Sequence, residues 1–157
     1  MHVPGKLLLA PLFALALAAP QAATAQAGAG MTGEDAMKVM RAMDLSPELG
    51  RDRRGDPQIM FQQNGLHCRM NFYDCRNGRC GSAQLEVGLD LESGTTLQVI
   101  NVYNTTYRYG RAFLDDEMDP FLQYDFELPA ARADEYLESQ LDLFGRLLEN
   151  FTEAVGY

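Results

Sequence analysis

The chain has 157 residues and carries 13 Lys and Arg against 22 Asp and Glu, a formal net charge of −9. This length suits a single domain with one hydrophobic core. The negative charge repels phosphate backbones and anionic lipid, which argues against nucleic acid and membrane surfaces as partners. We expect the acidity to serve mainly to keep the protein soluble.

The N-terminus has the order of a cleavable secretory signal peptide over residues 1–25. Lys6 precedes the apolar run 7–19, and Ala23 and Ala25 are the small residues before a cleavage site. The run is shorter than the roughly 20 apolar residues that span a bilayer, so we expect cleavage and no stable membrane insertion. Cleavage would leave 132 residues with 12 basic and 22 acidic side chains, a net charge of −10. The sequence therefore predicts a periplasmic or secreted protein.

The predicted mature chain begins with a flexible segment, residues 26–31, whose small residues have no pattern to bury. One domain is predicted over residues 32–157. It opens with a helix over residues 33–43, because Thr32 and Asp35 resemble a capping box and apolar residues then recur at helical spacing.

The charged segment 48–57 is predicted as a loop, because it contains two glycines and ends at a proline. Arg51, Arg53 and Arg54 form the basic cluster of the sequence. We expect these arginines to be solvated on the loop rather than to form an anion site.

A β-hairpin is predicted around Asn77-Gly78, the preferred dipeptide of a two-residue type I′ turn. If Arg76 and Arg79 flank the turn, the numbers of facing residues sum to 155. On one face the pairs are apolar: Phe72 with Ala83, Met70 with Leu85, Cys68 with Val87, and Leu66 with Leu89. On the other face they are polar: Tyr73 with Ser82, Asn71 with Gln84, and the opposite charges Arg69 with Glu86. A slip of one residue would destroy both patterns, so the register is well specified.

The chain has three cysteines, which in an exported protein predict one disulfide and one free cysteine. The hairpin register sets Cys75 opposite Cys80 on the polar face, in a pair whose Cα atoms should lie about 4.5 Å apart. Disulfides accept this separation, so we predict a Cys75–Cys80 bridge that fixes the hairpin tip. Cys68 lies on the apolar face and is predicted to be a small buried hydrophobe rather than a reactive thiol.

The second half of the chain supplies two more strands and a long helix. The segment 95–107 is ambiguous, because its Val, Ile, Thr and Tyr favour a strand while its apolar residues recur at helical spacing. Strands are predicted over residues 108–115 and 120–128, joined by an acidic turn. Residues 131–154 predict an amphipathic helix packed on the sheet. Its apolar stripe consists of Leu137, Leu141, Phe144, Leu148 and Phe151.

The acidic turn contains the candidate residues for metal binding or catalysis. Asp115, Asp116 and Asp119 could hold a hard cation such as Ca²⁺ through oxygen ligands, but acidic residues in turns are usually solvated. An alternative function is an envelope hydrolase that uses Asp116 and Asp119, although a turn that ends at a proline offers little burial to separate two carboxyl pKa values. His67, the histidine that remains after signal removal, is expected to be exposed, and one histidine poorly supplies a zinc site or a triad. The sequence therefore predicts no cofactor and no enzyme activity.

Several short segments also carry a resemblance to a known family. They are FYDCRNGRCGSAQL at 72–85, Ile100-Asn101, Asn104, YGRAFLD at 109–115, and Asp119-Pro120. Together they resemble the YbjN-like family, also labelled putative bacterial sensory transduction regulators. The resemblance implies an α+β domain similar to type III secretion chaperones, in the order α-β-β-β-α-β-β-α, with helices packed on one face of an antiparallel sheet. It also implies that the segment 95–107 is a helix, and it offers no agreed catalytic residues.

The resemblance and the predicted export together imply a function class. We expect a non-enzymatic binding, chaperone-like or regulatory module that acts on a protein or peptide partner in the cell envelope, with a homodimer as one form that it could take. Four tyrosines could serve such a surface, although we expect each to be partly buried at the edge of the core: Tyr73, Tyr103, Tyr107 and Tyr109.

Overall fold

The computed structural model describes Met1 and residues 30–157. In these residues the chain forms, in order, α1 (Gly33–Ala42), β1 (Glu48–Arg51), β2 (Pro57–Gln63), β3 (Leu66–Arg76), β4 (Arg79–Gly88), α2 (Leu97–Thr106), β5 (Arg111–Leu114), β6 (Pro120–Glu127) and α3 (Ala133–Val155). The predicted signal peptide, residues 1–25, lies outside the described residues apart from Met1, and so do four residues of the predicted flexible segment.

The six strands form one antiparallel sheet in the order β1-β2-β3-β4-β6-β5. The α+β class is confirmed, and so is the predicted order of helices and strands, to which the structure adds one further strand, β1, after α1. The ambiguous segment 95–107 contains α2, so its helical spacing outweighs its strand propensity.

One short strand corrects the prediction that residues 48–57 form a loop. Glu48–Arg51 is β1, which pairs with β2 from Glu48 opposite Met60 to Arg51 opposite Pro57. All four residues of β1 are exposed, so their side chains show none of the apolar alternation that marks a strand in a sequence. The strand exists because its backbone bonds to β2, and only residues 52–56 form the connection.

The predicted register of the β3–β4 hairpin is confirmed, since facing residue numbers sum to 155 from the turn to the pair Cys68–Val87. The two turn residues have φ angles of 53° and 79°, as a type I′ turn requires. The β3–β4 ladder ends at the pair Cys68–Val87. The predicted pair Leu66 with Leu89 therefore lies beyond the ladder, although both side chains are buried.

The core lies between the sheet and the three helices. Alternate residues of the strands and the inward residues of the helices form one hydrophobic cluster, so the helices cover one face of the sheet. The five residues of the predicted stripe of α3 are all completely buried, which confirms that prediction. No helix in the part of the chain that the structure describes is both long and apolar enough to cross a bilayer.

Helices α1 and α2 begin at threonines that cap them, whereas α3 begins without a side-chain cap. Thr32 Oγ1 accepts a hydrogen bond from the Asp35 N–H at 3.0 Å, as the predicted capping box requires of its first residue. Thr96 Oγ1 accepts one from the Val99 N–H at 3.3 Å and begins α2.

The predicted disulfide is present, with the Cα atoms of Cys75 and Cys80 3.9 Å apart. Its predicted place on the solvent-facing side is wrong: Cys80 is completely buried, and Cys75 packs against the core. Asp74 has a φ of 54° and interrupts the alternation of side chains just before Cys75. The side chains of β3 therefore stop alternating between the two faces at Asp74, and Cys75 turns toward the core.

The segment before α1 covers Cys80. Met31 is completely buried and forms an antiparallel bridge with Cys80. The expectation that residues 26–31 have nothing to bury is therefore wrong for Met31, because the contact that orders it is 49 positions away in the chain and leaves no local pattern.

Candidate functional site

The face of the sheet opposite the helices is the candidate functional site. Among the described residues the helices pack on the other face, so the alternate side chains of β2, β3, β4 and β6 that point away from the core have no element over them. We call this surface the open face. Its central residues are Gln58, Met60, Arg69, Asn71, Tyr73, Gln84, Glu86, Gln123 and Asp125.

A row of hydrogen-bonded side chains crosses the middle of the open face. Arg69 donates to Glu86 Oε1, Gln123 Nε2 donates to Glu86 Oε2 at 2.6 Å, and Arg111 donates to Gln123 Oε1. Glu86 is only 7% exposed, and a buried carboxylate needs such partners on both oxygens. The predicted Arg69–Glu86 pair is confirmed. The row is therefore held in one arrangement before any partner arrives.

A second row runs parallel to the first. Gln58 Nε2 donates to Asn71 Oδ1 at 2.8 Å, and Gln84 Nε2 donates to Asp125 Oδ1 at 2.7 Å. Burial, and secondarily the charges of Asp125 and Glu86, raise the pKa of Tyr73, so its phenol keeps its proton near neutral pH. The open face thus presents mainly amide and hydroxyl groups, which both donate and accept hydrogen bonds.

The connection between β1 and β2 forms one wall of the open face. We call this connection, together with Arg51 at the end of β1, the arginine loop (residues 51–56). Asp52 Oδ1 accepts from the N–H groups of Arg54 and Asp56 at 2.8 and 2.9 Å, and Arg51 Nη1 donates to the Gly55 carbonyl at 2.7 Å. Among the described residues, the guanidinium groups of Arg53 and Arg54 have no hydrogen bond or ion pair. The backbone of the loop is therefore held in place while two of its cations remain free.

The arginine loop and the open face enclose a groove with a volume of about 500 Å³. We call it the arginine groove. Arg51, Arg53 and Arg54 line it from the loop, and Gln58, Arg69, Asn71, Tyr73 and Glu86 are among the residues that line it from the sheet. All three arginines are exposed, as predicted, but Arg51 ends strand β1 rather than lying on a loop. The sequence also did not show that the three face a polar sheet surface.

A smaller cavity of about 310 Å³ lies at the other end of the open face, beside Phe121 and His67. The ring of Phe121 stacks on Phe113 with centroids 5.3 Å apart. A Cβ atom on Gly88 would lie 2.4 Å from the ring of Phe121, so only glycine allows the ring to cover β4 there. The two stacked rings form an apolar flank beside the polar rows, and charged side chains such as Asp90 and Asp119 also line the cavity.

The acidic turn uses its carboxylates to shape the backbone. Asp115 Oδ1 accepts from the N–H groups of Glu117 and Asp119 at 3.0 and 2.9 Å, and Asp119 Oδ1 accepts from the Leu91 N–H at 3.0 Å. Asp119 lines the smaller cavity, whereas Asp116 is exposed and does not. The described residues contain no group of three or more His, Cys, Asp or Glu side chains that could hold a metal ion. The two carboxylates of the hydrolase hypothesis therefore do not meet in a cleft.

The remaining candidate residues are placed as follows. Burial raises the pKa of the Cys68 thiol to about 12, and the residue is completely buried, as predicted for a small hydrophobe. His67 is exposed at the rim of the smaller cavity, also as predicted.

The four tyrosines do not share one environment. Tyr73 and Tyr107 are partly buried, as predicted. The same prediction is wrong for Tyr103, which is 1% exposed, and for Tyr109, which is 59% exposed. Only Tyr73 lies on the open face, so the four do not form one binding surface.

The comparisons with known proteins agree with the resemblance found in the sequence. The family model YbjN, described as "Putative bacterial sensory transduction regulator", matches residues 37–156. The chain belongs to the YbjN family. The match runs from within α1 to the end of α3 and contains the whole sheet.

The family is described as regulatory and is not a known enzyme family. No curated protein and no solved structure is significantly similar to the chain. The likeness to type III secretion chaperones therefore stays a prediction.

Proposed function

We propose that this YbjN protein is an exported, non-enzymatic binding module that acts on a protein or peptide partner in the cell envelope, in a chaperone-like or regulatory role. The observation that carries the proposal is the open face, a wide sheet surface with ordered polar rows that no described element covers. The family description as a sensory transduction regulator supports a role in binding rather than in catalysis.

The open face has the composition of a recognition surface. Its polar rows are already hydrogen-bonded, so a partner would not have to immobilise these side chains on binding. Met60, 45% exposed, and the stacked rings of Phe113 and Phe121 supply apolar contact beside the polar groups. A partner could therefore bury apolar area and make directional hydrogen bonds on the same surface.

Export is part of the proposal and rests on two independent features. Residues 1–25 have the order of a secretory signal peptide. The Cys75–Cys80 disulfide is of a kind that persists in oxidising compartments such as the periplasm.

The alternative hydrolase or metal-binding function has weaker support. Asp116 and Asp119 do not converge on one cavity, and the carboxylates of Asp115 and Asp119 accept backbone hydrogen bonds within the turn. Their geometry supports a structural role in the β5–β6 connection.

Position-specific photocrosslinking in intact cells tests the proposed surface. A photoreactive amino acid replaces Tyr73 on the open face, and in the matched control it replaces Glu149, which is exposed on α3. We expect a discrete adduct from position 73 and none from position 149, and an adduct at twice the mass of the chain would identify a second copy as the partner. Equal adducts from both positions, or none from either, would contradict the proposal.

A further inference from the structure

We propose that the arginine groove binds an extended, acidic peptide segment of the partner, with Arg53 and Arg54 contacting its carboxylates. This inference rests on the proposed function, and it adds where on the open face the partner binds and which chemistry it presents. Three observations carry it: the distribution of charge in the groove, the fixed shape of the loop, and the unused hydrogen-bonding groups on its floor.

The charges in the groove do not cancel. The two acidic residues that line it are Asp52 and Glu86. Asp52 accepts two backbone hydrogen bonds, and Glu86 is engaged by Arg69 and Gln123. The guanidinium groups of Arg53 and Arg54 have no partner among the described residues. The loop side of the groove is thus positive on a chain whose net charge is −9, whereas the sheet side near Tyr73 is closer to the charges of Glu86 and Asp125.

The negative charge of the whole chain makes the arginine groove more selective for where an acidic segment binds. An acidic segment is repelled by most of the surface and attracted only where cations are exposed together. Arg is suited to this role, because its planar guanidinium can donate two parallel hydrogen bonds to one carboxylate.

The arginine loop is held in shape by its own backbone. The Asp52 N–H donates to the Asp56 carbonyl at 2.9 Å, and the Gly55 N–H donates to the Asp52 carbonyl at 3.1 Å. Together with the bonds to the Asp52 carboxylate, these contacts fix the positions from which Arg53 and Arg54 extend. Less conformational entropy is lost on binding when a loop is already ordered.

The floor of the groove offers hydrogen bonds that suit a peptide backbone. Gln58 uses its Nε2 and Asn71 uses its Oδ1 in their mutual bond. The opposite ends of these amides, Gln58 Oε1 and Asn71 Nδ2, make no hydrogen bond among the described residues. They leave one acceptor and one donor on two facing residues of the floor, and these groups can pair with the N–H and C=O groups of an extended chain.

The occupant favoured by these features is a peptide rather than a nucleic acid. A polynucleotide presents a continuous row of phosphates, whereas the groove offers two free guanidinium groups on an acidic protein. Nucleic-acid binding depends on neutralising many phosphates, and the remaining negative charge opposes it. A short segment with a few carboxylates matches the size and charge of the groove.

Fluorescence anisotropy with the purified protein tests the inference. The probe is a short dye-labelled peptide in which Glu alternates with Ser, and a peptide with Lys in place of Glu is the reference. The test variant is R53Q/R54Q. Its matched control is R41Q/R146Q, which removes the same charge from two arginines exposed on α1 and α3. Urea unfolding of all three proteins checks that the variants fold.

We expect the protein to bind the Glu peptide and not the Lys peptide. R53Q/R54Q should weaken binding about tenfold or more, equivalent to about 1.4 kcal/mol, whereas R41Q/R146Q should change it by less than about twofold. Added salt should weaken the interaction, because the arginines are exposed. Equal losses in the two variants, no binding of the Glu peptide, or tighter binding of a single-stranded oligonucleotide would overturn the inference.

Crosslinking separates this inference from the proposed function. If position 73 gives an adduct in cells but the Glu peptide neither binds nor competes with that adduct, the open face is a binding surface and the acidic-peptide inference is wrong. If both the adduct and the peptide binding are absent, both proposals fail.

Discussion

Met31 and Cys80 exchange backbone hydrogen bonds in both directions, with N···O distances of 3.1 and 2.8 Å. The bridge fastens the segment before α1 to the strand that carries the disulfide. Gly30 makes this approach possible, since it has a φ of +92° and a Cβ atom there would lie 2.0 Å from the carbonyl oxygen of Cys80.

A substitution at Gly30, which is buried against Cys80, should therefore destabilise the protein. For Gly30→Ala we expect the free energy of unfolding to fall by about 2 kcal/mol or more, measured by urea denaturation, because the change adds a backbone clash to an unfavourable φ. Gly55→Ala is the matched control: its φ is +88°, but a Cβ atom there meets nothing within 4 Å, so only the cost of the φ angle, about 1 kcal/mol, should appear. Equal losses in the two variants would show that the bridge to Cys80 is not formed.

If the protein is exported and forms the disulfide, the protein recovered from cells should have a defined mass. Intact-mass spectrometry should find an N-terminus near Gln26 and a mass lower by two hydrogens than that of the reduced chain. Treatment with a reductant should restore the two hydrogens, and a C75S/C80S variant should show no change on reduction. An uncleaved, fully reduced chain would argue against export.

The sequence predicted the β3–β4 hairpin because its information is local. The turn dipeptide fixes the register, and alternate apolar residues then identify the buried face. The same holds for α3, where one helix carries a complete apolar stripe.

The sequence could not predict the features that depend on distant partners. β1 has no buried residue and is ordered by pairing with β2, and Cys80 is buried by Met31 from the start of the domain. The open face could be predicted only in part. The polar alternation of β3, β4 and β6 was visible, but the pairing of β4 with β6, across α2 and β5, was not, and it brings Gln123 to Glu86.

Tyr103 carries a buried hydroxyl that has no hydrogen-bond partner among the described residues. Tyr103→Phe should therefore leave the free energy of unfolding unchanged or raise it by up to about 1 kcal/mol, because it removes an unsatisfied polar atom. Tyr124→Phe is the control, since the Tyr124 hydroxyl donates to Gln140 Oε1 and its loss should cost about 1 kcal/mol. A clear destabilisation by Tyr103→Phe in urea denaturation would mean that the hydroxyl has a partner.

Tyr103 should also contribute to a loss of stability at alkaline pH. Burial raises the pKa of Tyr103 to about 12, whereas a tyrosine in the unfolded chain has a pKa of about 10. Since the unfolded state releases the proton first, the contribution of Tyr103 is complete below about pH 10 and is lost as the pH rises toward 12. The decline in the free energy of unfolding over this range should be shallower in Tyr103→Phe, and identical declines in the two proteins would contradict the assignment.

Cys68 should be chemically silent in the folded protein. Burial raises its thiol pKa to about 12, so almost no thiolate exists near pH 8. Iodoacetamide should leave the native protein unmodified and should add one label in concentrated urea without reductant, a label that Cys68→Ala removes. Rapid labelling of the native protein would indicate that the residue is accessible.

Asn104 connects α2 to the short edge strand β5. Its Oδ1 accepts from the Ala112 N–H at 2.9 Å, and its Nδ2 donates to the Ala112 carbonyl at 3.0 Å. Asn104→Ala should lower the free energy of unfolding by about 1–2 kcal/mol and speed amide hydrogen exchange in β5. Asn101→Ala, on the same helix with an exposed side chain, should be nearly neutral. Unchanged exchange in β5 would show that the Asn104 contact does not hold the strand.

The position of α3 in the chain sets the order in which this domain can be completed during synthesis. All six strands precede α3, and α3 contributes seven buried residues to the cover of the sheet. A growing chain that has not yet reached Ala133 can pair its strands, but it leaves much of their apolar side in water. Such an intermediate is prone to associate with other apolar surfaces until the last helix emerges. Stable folding is therefore a late event, and truncations that remove α3 should yield aggregates rather than a smaller domain.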